Sequence, residues 1–199
     1  IIRCFDFLNH VENMRPFAEV ALRSTVNIFE PAISLSWAKG FDVPHYLDVA
    51  QAILEMCAGA AGVSVKQVEK MIILGLKDMG GVCPPRFNRE LVSALRAQYP
   101  DLVIHHHRHF TDGLFVPAMG AAAKAGAHII DTALGSSVRS YGQGDLLSLA
   151  AYLEDELGMK TLLDREAVAK ANFAAKQVMP WFDRYCSPFF QGVDYDVTR

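Results

Sequence analysis

Short apolar runs of strand length alternate with helical patterns as far as Ala133, and that order leaves few folds open. The strand-like runs are Ile1–Phe5, Pro31–Ser36, Met71–Leu76, Leu102–His107 and Ala127–Ala133. Between them lie the helical patterns Met14–Ser24, Val43–Cys57, Asn88–Gln98 and Pro117–Ala125, with Pro44 suited to a first helical turn and Gly126 to a stop. Ala58–Lys70 fits either a Gly-rich loop or more helix. Strands buried on both faces read as unbroken apolar runs, so the order predicts a parallel sheet covered by helices. After Asp145 no strand pattern remains. Leu146–Leu157 and Arg165–Val178 read as helices, and Pro180–Arg199 as an aromatic-rich tail. The expected division is therefore an α/β unit over 1–144 and a helical extension over 145–199.

Polar residues collect at the C-terminal ends of the runs: Asp6 and Asn9, Ser36, Lys77 and Asp78, His107 and His109, Asp131 and Thr132. That edge carries the chemistry in parallel barrels and open sheets alike, so the placement favours function without choosing between the two. The stretch VIHHHRHFTDG, residues 103–113, is the densest of these. Side chains alternate along a strand, which puts His105, His107 and His109 on one face and His106 and Arg108 on the other. Three imidazoles on one side of a strand point first to a metal, although His105 reads better as a hydrogen-bonded core residue. Asp6 and Asn9 could equally cap the helix that follows.

Composition removes several classes. With 199 residues, 51% of them hydrophobic, the chain can bury a core; its formal charge of −3 and scattered Lys and Arg give no footprint for nucleic acid. No apolar stretch reaches the roughly 20 residues of a membrane span, and no signal peptide is visible. Cys4, Cys57, Cys83 and Cys186 show no CxxC spacing and read as thiols in a reducing compartment, the cytoplasm or a mitochondrial matrix. The chain opens without Met in strand-like sequence and ends abruptly, as expected of part of a longer protein.

The pieces RCFDFLN, PAISLS, LGLKDMGGVCPP, LVIHHHRH with TDG following, and AGAHIIDTALGS together resemble the carboxyltransferase domain of biotin-dependent carboxylases. That family includes pyruvate carboxylase, the oxaloacetate decarboxylase alpha subunit and transcarboxylase. The resemblance implies a (β/α)8 TIM barrel with a divalent metal at its mouth, of which this chain covers about the last five βα units, followed by C-terminal helices. It implies a metal held by His107, His109 and a carbamylated Lys77. On chemical grounds Asp78, Asp131 and Thr132 would orient these ligands, and Lys77, Asp78 and Asp131 are the expected catalytic residues. The family's fourth ligand, an aspartate, and its substrate-binding arginine belong to strands that the resemblance does not cover.

The activity implied is transfer of a carboxyl group between carboxybiotin and a 2-oxo acid such as pyruvate through a metal-stabilised enolate. Zn, Mn or Co suits two imidazoles and anionic oxygens. No Met-Lys-Met occurs, so biotin is expected on a carrier domain or protein elsewhere, served by a biotin carboxylase component, in a homo-oligomer. The chain departs from the family at Phe110, where Asp is usual, and in SSVRSYGQGD, which lacks the Ser-Met-Ser-Gly and Gln-Pro-Ser pattern. Two alternatives stand: a metal-dependent lyase or acyl-CoA condensing enzyme of the isopropylmalate synthase or hydroxymethylglutaryl-CoA lyase type, and a non-catalytic relative in a carboxylase assembly. The segment by itself is expected to be inactive.

Overall fold

The structure, a computed structural model, describes residues 1–24, 27–138 and 142–185. Five parallel strands, β1 (Ile2–Asp6), β2 (Phe29–Ser34), β3 (Ile73–Asp78), β4 (Val103–Arg108) and β5 (Ile129–Ile130), lie side by side in chain order. A doubly wound sheet reverses its strand order at a switch point; an order that only advances is the wall of a barrel. Five strands make an arc of one.

Helices α1 (Arg15–Leu22), α2 (Val43–Ala61), α3 (Val65–Val68), α4 (Pro85–Gln98) and α5 (Phe115–Lys124) fill the connections, and α6 (Leu146–Asp155) and α7 (Arg165–Val178) follow β5. The uncertain stretch 58–70 divides cleanly. Helix α2 runs on to Ala61, and Ser64 then opens α3 with a reciprocal capping box to Gln67. One face of the sheet packs its apolar residues Ile33, Leu74, Leu76 and Ile104 in a core with Tyr46, Ile53 and Leu54 of α2, Leu91 and Leu95 of α4, and Phe115 and Met119 of α5. Helix α6 packs against α5.

Strand limits differ from the sequence reading where charge is involved. β2 starts at Phe29 and takes in Glu30, β3 extends through Lys77 and Asp78, and β4 includes Arg108. Each of these charged groups finds a partner inside the fold, so the strand does not stop at it. β5 is shorter than Ala127–Ala133, yet His128 N–H to Ile104 O (2.9 Å) and Asp131 N–H to His106 O (3.0 Å) continue its pairing on one side. β1 has no partner on its outer edge among the described residues, and Ile1, Phe7 and Leu8 at its two ends stand exposed. Of the tail, Met179–Tyr185 forms 3-10 turns; residues 186–199, with Cys186, lie outside the described residues. Cys4, Cys57 and Cys83 are free thiols. Among the described residues no helix is long and apolar enough to cross a membrane.

Candidate active site

The sheet face opposite the helices follows from register. Ser34 of β2 pairs with Lys77 of β3, and Lys77 with His107 of β4, so these three side chains stand in a row at the C-terminal ends of their strands. Backbone pairing of His109 N–H to Asp78 O (3.0 Å) carries the alternation one residue beyond β4. It leaves the His107 and His109 rings 5.2 Å apart. The Lys77 ammonium lies 4.9 Å over the Phe5 ring of β1. Burial and the nearby Arg3 guanidinium push the Lys77 amine below the ordinary lysine range, against the pull of Asp131 and Glu30.

His107 is oriented from behind. Its Nδ1 is 2.8 Å from Asp131 Oδ2, and its Nε2 is 3.2 Å from Gln143 Nε2. With a proton on Nδ1 donated to Asp131, Nε2 carries the lone pair and accepts from the Gln143 amide. Asp131 also takes His105 Nε2 on Oδ1 at 2.7 Å and Arg3 Nη1 on Oδ2 at 3.1 Å. His105 Nδ1 reaches Glu30 Oε2 at 3.1 Å, and Arg3 Nε donates to Glu30 Oε1 at 2.5 Å.

Burial alone would discharge His105, but hydrogen bonds to Asp131 and Glu30 outweigh it and raise the imidazole to about 9. Both of its nitrogens therefore donate, and the 3.1 Å approach of Arg3 Nη2 to Nδ1 is a contact of like charges bridged by two carboxylates, not a hydrogen bond. Burial likewise opposes ionisation of Asp131, yet His105 and His107 hold its carboxyl far below the usual range. His105 is thus a hydrogen-bonded interior residue, as its place on the strand predicts.

Asp78 does not join this cluster. It points to the helix side, fully buried, where its oxygens accept from Val82 N–H (3.0 Å) and Cys83 N–H (2.9 Å) and lie 3.3 Å from Arg108 Nε. Arg108, also fully buried, donates to Asp112 Oδ2 (2.7 Å), Gly81 O (2.9 Å) and His109 O (2.9 Å). These bonds clasp the loop after β3 to the loop after β4. Gly81 is needed at the clasp: its φ is +62°, and a Cβ there would stand 2.7 Å from His109 O. His106, on the same side, bonds through Nε2 to Asn88 Oδ1 (2.7 Å); burial and the charge of Arg108 lower it to about 3, so it is a neutral packing residue.

Thr132 also lies away from the cluster, lining a cavity of about 480 Å³ beneath α6 with Ile130, Leu149 and Leu153. Asp6 accepts from Leu8 N–H and His10 N–H and so builds the turn after β1, while Asn9 exchanges two hydrogen bonds with the Ser34 backbone. Sequence reasoning passed over Arg3, Glu30 and Gln143. For Arg3 a signal existed: a charge inside an otherwise apolar strand of a two-sided sheet demands a partner.

No three His, Cys, Asp or Glu side chains among the described residues form a metal-binding group. The donors that do gather are two imidazoles and an amine, a set that fits a divalent cation only when the lysine is neutral and carries an anionic oxygen.

No family model matches the chain. Its relatives include pyruvate carboxylase of Aspergillus niger, 32% identical over 159 residues, which are 77% of this chain and 12% of that protein. Mitochondrial pyruvate carboxylase of Homo sapiens is 32% identical over 175 residues, 82% of this chain and 14% of that one. Among solved structures, the carboxyl transferase domain of Rhizobium etli pyruvate carboxylase with pyruvate and biocytin matches with a TM-score of 0.82 at 25% identity, over 98% of this chain and 31% of that one. The chain thus spans a small part of the length of the pyruvate carboxylases it matches.

Proposed function

Because the chain belongs to the carboxyltransferase family of biotin-dependent carboxylases, we propose that it forms part of a site moving a carboxyl group between carboxybiotin and a 2-oxo acid such as pyruvate. The observation that carries this reading is the row made by Lys77 and His107 on paired strands, with the His109 ring 5.2 Å beyond and Asp131 behind. Lys77, His107 and His109 are the side chains that would hold a divalent cation such as Zn, Mn or Co. When bound, the cation would supply a Lewis acid that stabilises the negative charge developing as the acceptor methyl group loses a proton.

The chain's own residues prepare for this. Lysine captures CO2 only as the free amine: its lone pair forms the new N–C bond, a proton leaves to solvent, and the product is an anionic carbamate. Burial and Arg3 move Lys77 in that direction. Asp131 keeps the His107 ring turned with Nε2 outward. Phe5 covers one side of the lysine and restricts where its amine can swing. Asp78 serves the reaction indirectly, through the loop clasp that backs His109.

On this reading biotin arrives on a carrier domain or subunit charged by a biotin carboxylase component, and the site is completed by other parts of the carboxyltransferase domain. The protein works in the cytoplasm or, in a eukaryote, the mitochondrial matrix. Lys77→Ala in the full-length protein tests it. Transfer should fall at least ~100-fold together with bound metal, the scale on which a lost ligand acts. Undiminished transfer would discard the assignment, and retained metal with retained activity would favour a lyase-type site that uses the histidines alone.

A further inference from the structure

The carboxylate behind His107 is itself held by a closed ring of charge. Arg3, Glu30, His105 and Asp131 come from or adjoin β1, β2, β4 and β5, and each bonds to the next until Arg3 meets Asp131 again. Both Asp131 oxygens are thereby used: Oδ1 faces His105, and Oδ2 is shared by Arg3 and His107.

An aspartate side chain 31% exposed at a strand end, with only one imidazole for company, could rotate and let that ring flip. Here it cannot turn without breaking the bonds to His105 and Arg3. The ring also has to cross β3, which lies between Glu30 and His105, and β3 offers glycine at that point. A Cβ on Gly75 would stand 2.9 Å from Glu30 Oε1 and 2.7 Å from Ala32 Cβ. A side chain there would push Glu30 out of the ring.

We infer that Arg3, Glu30 and His105 are positioning residues that lock Asp131 and, through it, hold His107 with its Nε2 lone pair turned outward, and that Gly75 is the gap which lets the ring close. The inference rests on reading His107 as a metal ligand. It is distinct from a general stabilising role, because a device that orients one ligand should alter how tightly the cation is held in protein that remains folded.

The test uses Zn2+ with the full-length protein, its dissociation constant measured by competition with a chromophoric chelator and folding followed by denaturant unfolding. Glu30→Gln and Gly75→Ala should each weaken Zn2+ by about 10-fold in the folded protein, the low end of the effect of removing an outer partner of a ligating histidine, because they act on that partner, Asp131, through His105 and Arg3. An unchanged constant in folded Glu30→Gln overturns the inference. If neither variant folds, a crystal structure of the zinc-loaded wild type decides. Ligation through His107 Nε2 with Asp131 on Nδ1 supports it; ligation through Nδ1, or Asp131 turned away, defeats it. Wild type that binds Zn2+ no better than Lys77→Ala removes the metal reading itself, a failure visible before any ring variant is made.

Discussion

Lys77 and Asp78 are neighbours in sequence and face opposite environments, as are His107 and Arg108 on the next strand. On the helix side, Arg108 and Asp78 are fully buried, and the charge closes on itself through Asp112 and the loop carbonyls. On the other side the network is equally deep at its root, where Glu30 is fully buried, but it ends at His107 and Asp131, whose side chains are 12% and 31% exposed. Buried charge by itself does not locate a site. A network that is closed at one end and partly exposed at the other does, because its outer end is an imidazole lone pair that the Gln143 amide now occupies and a cation could take instead.

The contrast can be broken by substitution, and the largest effect belongs to the closed side. Arg108→Met leaves Asp78 and Asp112 buried without their cation, and should cost about 3–5 kcal/mol in urea unfolding of the full-length protein. A cost no greater than that of a surface change would mean that the clasp is solvated and the two sides are alike. Gly81→Ala comes next: a left-handed φ of +62° and a backbone oxygen at 2.7 Å predict a loss of about 1–3 kcal/mol. Because the oxygen belongs to His109, metal affinity should drop in the same variant, and unaltered affinity would show the clasp and the site to be uncoupled. The smallest stability effect is expected at Lys77→Met, within about 1 kcal/mol, since the lysine gives up its contact with Phe5 and attractions to Asp131 and Glu30 that repulsion from Arg3 and burial of its charge already oppose. A large destabilisation there would reveal Lys77 as a structural residue.

The order of elements, the parallel sheet and the facing of His105, His107 and His109 were legible in the chain because they depend on local periodicity. Barrel against open sheet was not legible from periodicity, since strand order is a long-range property that no window of residues contains; it was read from the family resemblance of the motifs, and the sheet order bears it out. Lys77 and His107 could be paired from the motifs, but Asp78 was misplaced with them: the charge beside a candidate ligand looked like its helper, whereas strand alternation sends it to the other face. Arg3 escaped notice although it lay inside a strand-like run, and Glu30 because its charge looked like the end of the next run when read one segment at a time. Their meaning appears only when β1, β2 and β4 lie side by side.

The outer edge of β1, unpaired among the described residues, carries a practical lesson for anyone producing residues 1–199 alone. Free N–H and C=O groups in a row, flanked by Ile1, Phe7 and Leu8, form a template on which further copies can stack. Such a preparation should collect in the pellet after lysis, and a solubilising fusion would mask the problem until it was cleaved.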